Sequence, residues 1–247
     1  MQPHIHLEES LGIPYAIMPG DPARVERIAA YLDQTCDLGS NREYRCISGT
    51  FRGVRILAVS TGIGGPSAAI AVEELRHTGV SHMIRIGSCG ALQPGIRIGD
   101  LILAQGAVRD EGTSAAYVSR SYPAVSDAEM LCLCQEAAAK NGITTHTGIV
   151  RSHDSFYVDG QDAINEHWSG RGILGSDMET AALLTVAGLR GVKALSILNN
   201  VVLWGNDTFH SIGAYSEGNT DGAGGEKASI LLALETFAAI DRKEKQK

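Results

Sequence analysis

The chain has 247 residues, of which 44% are hydrophobic and 20% are charged, a balance typical of a folded globular protein. Its formal net charge of -7 argues against a nucleic-acid-binding protein, which usually presents a basic face. No apolar run reaches the about 20 residues that a membrane-spanning helix needs. The five cysteines fit no zinc-binding spacing, and without a signal-peptide pattern they predict free thiols in a reducing cytoplasm.

Short apolar runs alternate with amphipathic segments along the chain, and we find no internal repeat or linker. The runs predict strands over residues 15–18, 55–60, 83–87, 101–108, 148–152 and 194–203. The amphipathic segments predict helices over residues 66–77, 126–139, 178–189 and 226–242, and a further helix that starts at Pro22. This alternation indicates an α/β fold with a parallel or mixed sheet, in one domain over residues 1–247 that ends in a polar tail at 240–247.

Two helix starts carry recognisable capping residues. Asp21 stands before Pro22 and is expected to cap the first helix. Ser126 and Glu129 form a capping-box pattern that is expected to open the helix over residues 126–139. Cys132 and Cys134 lie two positions apart in that helix, so they are expected to point to different faces.

Two strand ends combine glycine with arginine, as an anion site requires. Gly20 is followed by a helix with Arg24 in its first turn, where free N–H groups and a guanidinium suit an anion. A capped surface helix with a solvated arginine explains this loop better when it is taken alone. Arg85 lies inside an apolar strand, with Ser88 shortly after it. A buried arginine needs either a carboxylate partner or an anion, and the two alternatives are equally compatible with the local sequence.

Three further segments carry polar or glycine-rich patterns at strand ends. The glycines of residues 61–65 lack the lysine of a triphosphate-binding loop, so they more plausibly permit close packing around a small ligand. Arg42 lies in a polar segment before a strand. Glu179 precedes a buried helix, where a carboxylate either caps the helix dipole or binds hydroxyl groups, and capping is the better explanation from the local sequence.

Taken together, these segments resemble the nucleoside phosphorylase-I family, and its uridine phosphorylase branch in particular. The matching segments occur in family order over nearly the whole chain, and they are Pro3-His-Ile, Met18-Pro-Gly-Asp-Pro with Arg24, Arg42-Glu-Tyr, Ser60-Thr-Gly-Ile-Gly-Gly-Pro-Ser, Arg85-Ile-Gly-Ser-Cys-Gly-Ala, Asp154-Ser-Phe-Tyr and Asp177-Met-Glu. The resemblance implies a three-layer-like α/β/α domain around a mixed, partly barrel-like sheet. It also implies a cytoplasmic pentosyltransferase of nucleoside salvage that assembles as a homohexamer, a trimer of dimers.

The resemblance also implies roles for individual residues. Phosphate would be held by Gly20, Arg24, Arg85 and Ser88, with Arg42 reaching the phosphate of a neighbouring subunit. Ribose would be bound by Met178 and Glu179, with His4 closing the site across the dimer interface. The catalytic residues would be Arg24, Arg85 and Glu179. No organic cofactor is implied, since inorganic phosphate is a substrate, but Glu43, Ile63 and Ser67 match a monovalent-cation site, K⁺ for example, at the dimer interface.

The sequence departs from the family at the base. Phe156 would stack on the base or line its edge, and Gln161 would read it, shifted by about a residue from the family position. Ala163 stands where many uridine phosphorylases have an arginine that reads uracil. The purine-type aspartate is also missing after the strand over residues 194–203, and Asp207 could replace it only if its loop folds back. Uridine is therefore the first substrate expected, with a purine nucleoside or methylthioadenosine as the alternative.

Two other functions compete with phosphorolysis. A nucleosidase would activate water and would not need Arg24, Arg42 and Arg85 together. A nucleoside-binding sensor without catalytic activity would have no reason to keep those arginines and Glu179, although the missing base-reading arginine favours it. We therefore expect small-molecule partners, nucleoside and phosphate, and neither nucleic acid nor membrane.

Overall fold

The computed structural model describes residues 1–206, 211, 213, 215 and 220–246. The strands are β1 (Tyr15–Pro19), β2 (Asp33–Asn41), β3 (Tyr44–Phe51), β4 (Val54–Val59), β5 (His82–Ala91), β6 (Leu101–Asp110), β7 (Ala124–Val125), β8 (Thr145–His153), β9 (Gly175–Asp177) and β10 (Lys193–Val202). The α-helices whose bounds lie within the described residues are α1 (Pro22–Ala29), α2 (Gly65–His77), α3 (Thr113–Tyr117), α4 (Ala128–Lys140), α5 (Gln161–Ser169), α6 (Thr180–Leu189) and α7 (Thr220–Glu244).

The strands form one mixed sheet that closes on itself at one end. β5 pairs with β10 in parallel and with β9 in antiparallel orientation, and β6 and β8 complete a closed ring of five strands. On the other side of β5, the sheet continues through β1, β4, β3 and β2. The predicted α/β fold with a mixed, partly barrel-like sheet is confirmed.

Helices cover both faces of the sheet and bury its apolar side chains. One core cluster joins Val25 of α1, Cys134 of α4 and Phe237 of α7 to residues of β1 and β5. A second cluster joins α2 and α6 to the opposite face, with Leu75 and Leu184 among its members. Because α6 lies between α2 and the closed ring, its residues from Thr180 to Ala187 are all buried, which explains its uniformly apolar sequence.

The first helix starts as predicted, and the fourth starts one residue later than the capping-box pattern indicated. Asp21 Oδ1 accepts a hydrogen bond from the Ala23 N–H at 2.9 Å. In α4 the capping residue is Asp127, whose Oδ1 accepts from the Met130 N–H at 2.9 Å. Ser126 Oγ instead donates to the Ala104 carbonyl at 2.6 Å, so its hydroxyl is used by the sheet.

Two predicted boundaries differ from the structure. The strand expected to end at residue 87 continues to Ala91, because Ser88 and Cys89 pair with β10 and Gly90 with β9. Helix α7 begins at Thr220, before the expected residue 226. The sequence patterns also missed the β2–β3 hairpin, α5 and the three-residue strand β9.

The remaining sequence expectations concern cysteines and membranes. All five cysteines are free thiols, with Cys132 exposed and Cys134 buried, so the two point to different faces as predicted. Within the described residues, no helix combines the length and apolarity needed to cross a bilayer.

Candidate active site

The carboxyl end of β1 lies beside the middle of β5 and brings two predicted phosphate-binding segments together. The strands are parallel neighbours in which Met18 pairs with Arg85 and Pro19 with Ile86. Arg24, in the first turn of α1, is only 6% exposed, and its Nη1 donates to the Ile86 carbonyl at 3.2 Å. Gly20 and Arg24 therefore lie beside the strand that carries Arg85, as the resemblance implied.

Arg85 is buried between two carboxylates. Its Nε donates to Asp177 Oδ2 at 3.1 Å, and its Nη2 donates to Glu179 Oε2 at 2.5 Å. Its Nη1 is also buried but has no hydrogen-bond partner among the described residues. The carboxylate pairing that the sequence left open is thus present, and the guanidinium still has donors that a bound anion would satisfy.

Gly87 makes room for this guanidinium. A Cβ added at Gly87 would lie 2.5 Å from Arg85 Nη2 and 3.0 Å from Leu198 Cδ2. Because real Cβ atoms do not approach other atoms so closely, a side chain at this position would displace the arginine. The glycine of this motif therefore serves the close approach of Arg85.

Asp177 forms one of the two ion pairs of Arg85, a role that the sequence did not reveal. Its carboxylate has no exposed surface and accepts from Ser152 Oγ at 2.6 Å through Oδ1. Oδ2 accepts from the Thr180 N–H at 3.0 Å as well as from Arg85. The sequence feature that could have indicated this role is an acidic residue two positions before Glu179, just before a buried helix.

The capping of α6 that the local sequence favoured for a carboxylate at this edge comes from Asp177, whose Oδ2 accepts from the Thr180 N–H, and not from Glu179. Glu179 occupies the N-cap position, but its side chain makes no capping hydrogen bond. Its Oε1 accepts from the Gly64 N–H at 2.6 Å, and its Oε2 from Arg85. Burial raises the pKa of Glu179, and the charge of Arg85 offsets this only in part. The carboxylate therefore turns away from the helix and toward the arginine.

The glycine loop over residues 61–65 connects these parts. The Gly62 N–H donates to the Gly20 carbonyl at 2.9 Å, while Gly64 reaches Glu179. A cavity of about 570 Å³ opens beside Gly64, with Met178, Thr113 and Asp154 in its wall. Of the predicted ribose residues, Met178 lines this cavity, and Glu179 is joined to its wall through the Gly64 N–H.

A second group of predicted site residues lies apart from the two buried arginines. His4 Nδ1 is 2.5 Å from Glu74 Oε1, and the Glu74 carboxylate also accepts from the backbone N–H groups of His4 and Ile5. Arg42 follows β2 at the tip of the hairpin, with φ of 53°. Over the described ranges, neither His4 nor Arg42 makes a hydrogen bond to Arg24 or Arg85. Glu74, which the sequence reasoning missed, fixes the segment that carries His4.

The predicted cation residues lie near this second group. Ser67 Oγ donates to Glu43 Oε1 at 2.6 Å, which is the main cause of a lowered pKa at Glu43. Ile63 is 80% exposed. In the described part of the chain, no cluster of three or more His, Cys, Asp or Glu side chains suits a metal ion. A monovalent cation bound through Glu43, Ile63 and Ser67 stays a prediction.

The predicted base-binding residues lie on the segment that follows β8. Phe156 packs edge-on against Tyr157, with ring centroids 4.9 Å apart. Gln161 begins α5, and its Nε2 donates to Asn165 Oδ1 at 2.8 Å, while its Oε1 is buried with no partner in the described chain. Ala163 is exposed on the same helix, and Asp207 lies outside the described residues.

The closed five-strand ring, with Arg85 buried inside β5 and Arg24 of α1 buried against the same strand, matches a known class of proteins. A family model described as the Phosphorylase superfamily matches residues 14–201, so the chain belongs to this superfamily. Uridine phosphorylase from Thermococcus kodakarensis is 38% identical over 259 residues, which cover 100% of this chain and 89% of that protein. Guanosine phosphorylase from Halorubrum lacusprofundi is 41% identical over 196 residues, covering 79% of this chain and 81% of that protein.

A solved structure extends the likeness to three dimensions. Uridine phosphorylase from Vibrio fischeri superposes with a TM-score of 0.90 at 46% sequence identity, covering 96% of each chain. The predicted membership of the nucleoside phosphorylase-I family, with likeness to uridine phosphorylases, is confirmed.

Proposed function

We propose that the protein is a nucleoside phosphorylase, a pentosyltransferase that cleaves the N-glycosidic bond of uridine with inorganic phosphate. The products would be uracil and ribose 1-phosphate, or deoxyribose 1-phosphate from a deoxynucleoside. The relatives named uridine phosphorylase support this assignment over the whole chain. The free thiols agree with a cytoplasmic enzyme.

The observation that carries the proposal is the unpaired Nη1 of Arg85. Leaving a buried guanidinium donor without a partner costs about 1–3 kcal/mol, or more for a charged group, so a ligand that accepts there gains affinity. Arg24 binds the Ile86 carbonyl of the same strand and adds a second buried guanidinium. Phosphate, with four oxygens and two negative charges, suits two guanidinium groups. Gly20, directly after β1, and Ser88, within β5, would complete the proposed phosphate site.

The ribose would lie beside this phosphate, in the cavity flanked by Met178. Glu179, which accepts from the N–H of the lining residue Gly64, would accept hydrogen bonds from the ribose hydroxyl groups. This arrangement puts the anomeric carbon next to the phosphate oxygen that attacks it. As the bond to the base breaks, the sugar becomes cation-like, and the phosphate held by Arg24 and Arg85 stabilises that charge.

A single chain carries more negative than positive charge at this site. Arg24 and Arg85 face three carboxylates, those of Asp177, Glu179 and Glu226. A bound phosphate would therefore need a further cation, and Arg42 of a neighbouring subunit would supply it. His4 would close the ribose site in the same way. This requirement supports a homo-oligomer. The family likeness extends the proposal to a hexamer built as a trimer of dimers, with a monovalent cation at Glu43, Ile63 and Ser67 of the dimer interface.

At the base, uridine is our first candidate and a purine nucleoside the second. Phe156 would contact the ring, and the unpaired Oε1 of Gln161 would accept a hydrogen bond from its N–H. Charge that builds on the departing base needs a proton or a hydrogen-bond donor. The Halorubrum relative named guanosine phosphorylase, 41% identical over 196 residues, supports the purine alternative.

A substrate panel tests the proposal. Uridine, thymidine, inosine, guanosine, adenosine and methylthioadenosine would each be incubated with and without phosphate, and the free base and sugar phosphate measured. We expect cleavage of uridine that requires phosphate. Equal cleavage without phosphate would identify a nucleosidase, and binding without cleavage of any nucleoside would identify a sensor.

The variant Arg85→Lys tests the phosphate site within the same panel. Lysine keeps the positive charge between Asp177 and Glu179, so folding is expected to survive. It cannot offer the fork of donors that a guanidinium gives, so turnover should fall at least about tenfold. A variant with normal turnover would show that phosphate binds elsewhere.

A further inference from the structure

Glu226, near the start of α7, lies behind the proposed phosphate site. It is 8% exposed and comes from a helix far along the chain from Arg24. Arg24 Nε donates to its Oε2 at 2.8 Å, and Arg27 Nε donates to its Oε1. The Tyr215 hydroxyl donates to the same Oε2 at 2.8 Å and accepts from Arg24 Nη2 at 3.0 Å. One carboxylate thus gathers two arginines and a phenol.

These contacts use only part of the donor capacity of Arg24. A guanidinium has five N–H groups, and the three recorded bonds go to Glu226, the Ile86 carbonyl and Tyr215. Two N–H groups, one on each terminal nitrogen, have no acceptor within the described chain. Because Glu226 binds Nε, Nη1 is held against Ile86 of β5 and Nη2 against the Tyr215 hydroxyl, and each keeps one N–H free for a ligand.

We propose that Glu226 is a positioning residue for phosphate, which acts by holding the guanidinium of Arg24 in its binding orientation. This inference rests on the proposed function, since it concerns the same phosphate site. Tyr215 extends the same restraint to the second terminal nitrogen of Arg24. Both residues act through Arg24 and do not touch phosphate themselves.

The negative charge of Glu226 is compatible with an anion site because two arginines share it. Arg24 and Arg27 both pair with this one carboxylate, and Arg27 also pairs with Asp21, so two arginines balance two carboxylates. Burial alone would raise the pKa of Glu226, but Arg24, Arg27 and Tyr215 outweigh it and lower the pKa. The carboxylate is therefore ionised at neutral pH and is a lasting partner for Arg24.

The test compares Glu226→Gln with a control on the same helix. Glutamine has the size of glutamate but no charge, and its amide N–H would face a guanidinium N–H. We expect the KM for phosphate to rise at least about tenfold, equivalent to about 1.4 kcal/mol. The KM for the nucleoside is expected to stay within about twofold, since losing orientation at Arg24 does not reach the ribose side. The control Glu235→Gln, whose carboxylate is also 8% exposed but pairs with Arg52, should leave both KM values unchanged.

Each outcome decides between specific alternatives. A KM for phosphate that is unchanged or lower in E226Q would overturn the proposal, and a lower value would mean that the carboxylate competes with phosphate for Arg24. If E226Q does not fold, Tyr215→Phe removes only the hydroxyl between Arg24 and Glu226 and must raise the KM for phosphate about threefold or more. An unchanged value there would also overturn it. Wild-type protein without phosphate-dependent cleavage would refute the proposed function itself, which separates the two failures.

Discussion

Gly87→Ala is the most direct test of how the site is packed. The new Cβ would lie 2.5 Å from Arg85 Nη2 and 2.8 Å from its Cζ. Since non-bonded carbon and nitrogen atoms normally stay about 3.5 Å apart, the guanidinium must move by about 1 Å. The contact of Nη2 with Glu179, at 2.5 Å, would be lost or distorted. Overpacking of this kind costs about 1–3 kcal/mol of stability.

The functional effect is expected to exceed the loss of stability. A displacement of about 1 Å at a substrate-positioning group can reduce the rate about 100-fold. We therefore expect kcat/KM for phosphate, measured at saturating nucleoside, to fall by about that factor. Urea unfolding of the same preparation would give the change in the free energy of unfolding.

A second glycine variant controls for the added methyl group. Gly224 lies in α7, and a Cβ added there would meet no atom within 4 Å, so Gly224→Ala should keep full activity and gain up to about 1 kcal/mol. If Gly87→Ala keeps wild-type kcat/KM for phosphate, then Arg85 either is not held as described or does not bind phosphate. The reasoning about this site would then be wrong.

Two further predictions concern titrating groups. Burial raises the pKa of Cys46 and Cys134 to about 12. Iodoacetamide at neutral pH should therefore modify only the exposed Cys36 and Cys132 in the native protein, which peptide mass spectrometry would detect. Early labelling of a third thiol would contradict this burial. Burial also raises the pKa of Glu179, so its carboxylate takes up a proton at a higher pH than an ordinary glutamate does. Nucleoside affinity, measured by calorimetry without phosphate, should therefore fall as the pH is lowered through that raised pKa, and constant affinity down to about pH 4.3 would exclude Glu179 as the hydroxyl acceptor.

The sequence predicted the elements whose signals are local. The proline after Asp21 marked the start of α1, and the apolar run over residues 178–189 marked the buried helix α6. The hairpin of β2 and β3 was missed because β2 is mostly exposed and carries no alternating apolar pattern. The strand β5 was predicted too short because pairing with β9 and β10, distant in sequence, continues it through glycine-rich residues. Family likeness supplied the barrel, which no single segment specifies.

The arginines of the site were visible in the sequence, but their counterions were not. Arg24 pairs with Glu226 across 202 positions, and Arg85 pairs with Asp177 across 92. Local sequence therefore presented two exclusive alternatives for Arg85, a buried ion pair or an anion site. The geometry makes them compatible, because a guanidinium has two sides: carboxylates hold Nε and Nη2, and Nη1 remains for a ligand. The ion pairs fix the orientation of the Arg85 guanidinium, which a solvated arginine would lack. The same carboxylates therefore have two effects: their negative charge repels phosphate, and the orientation that they impose favours phosphate binding.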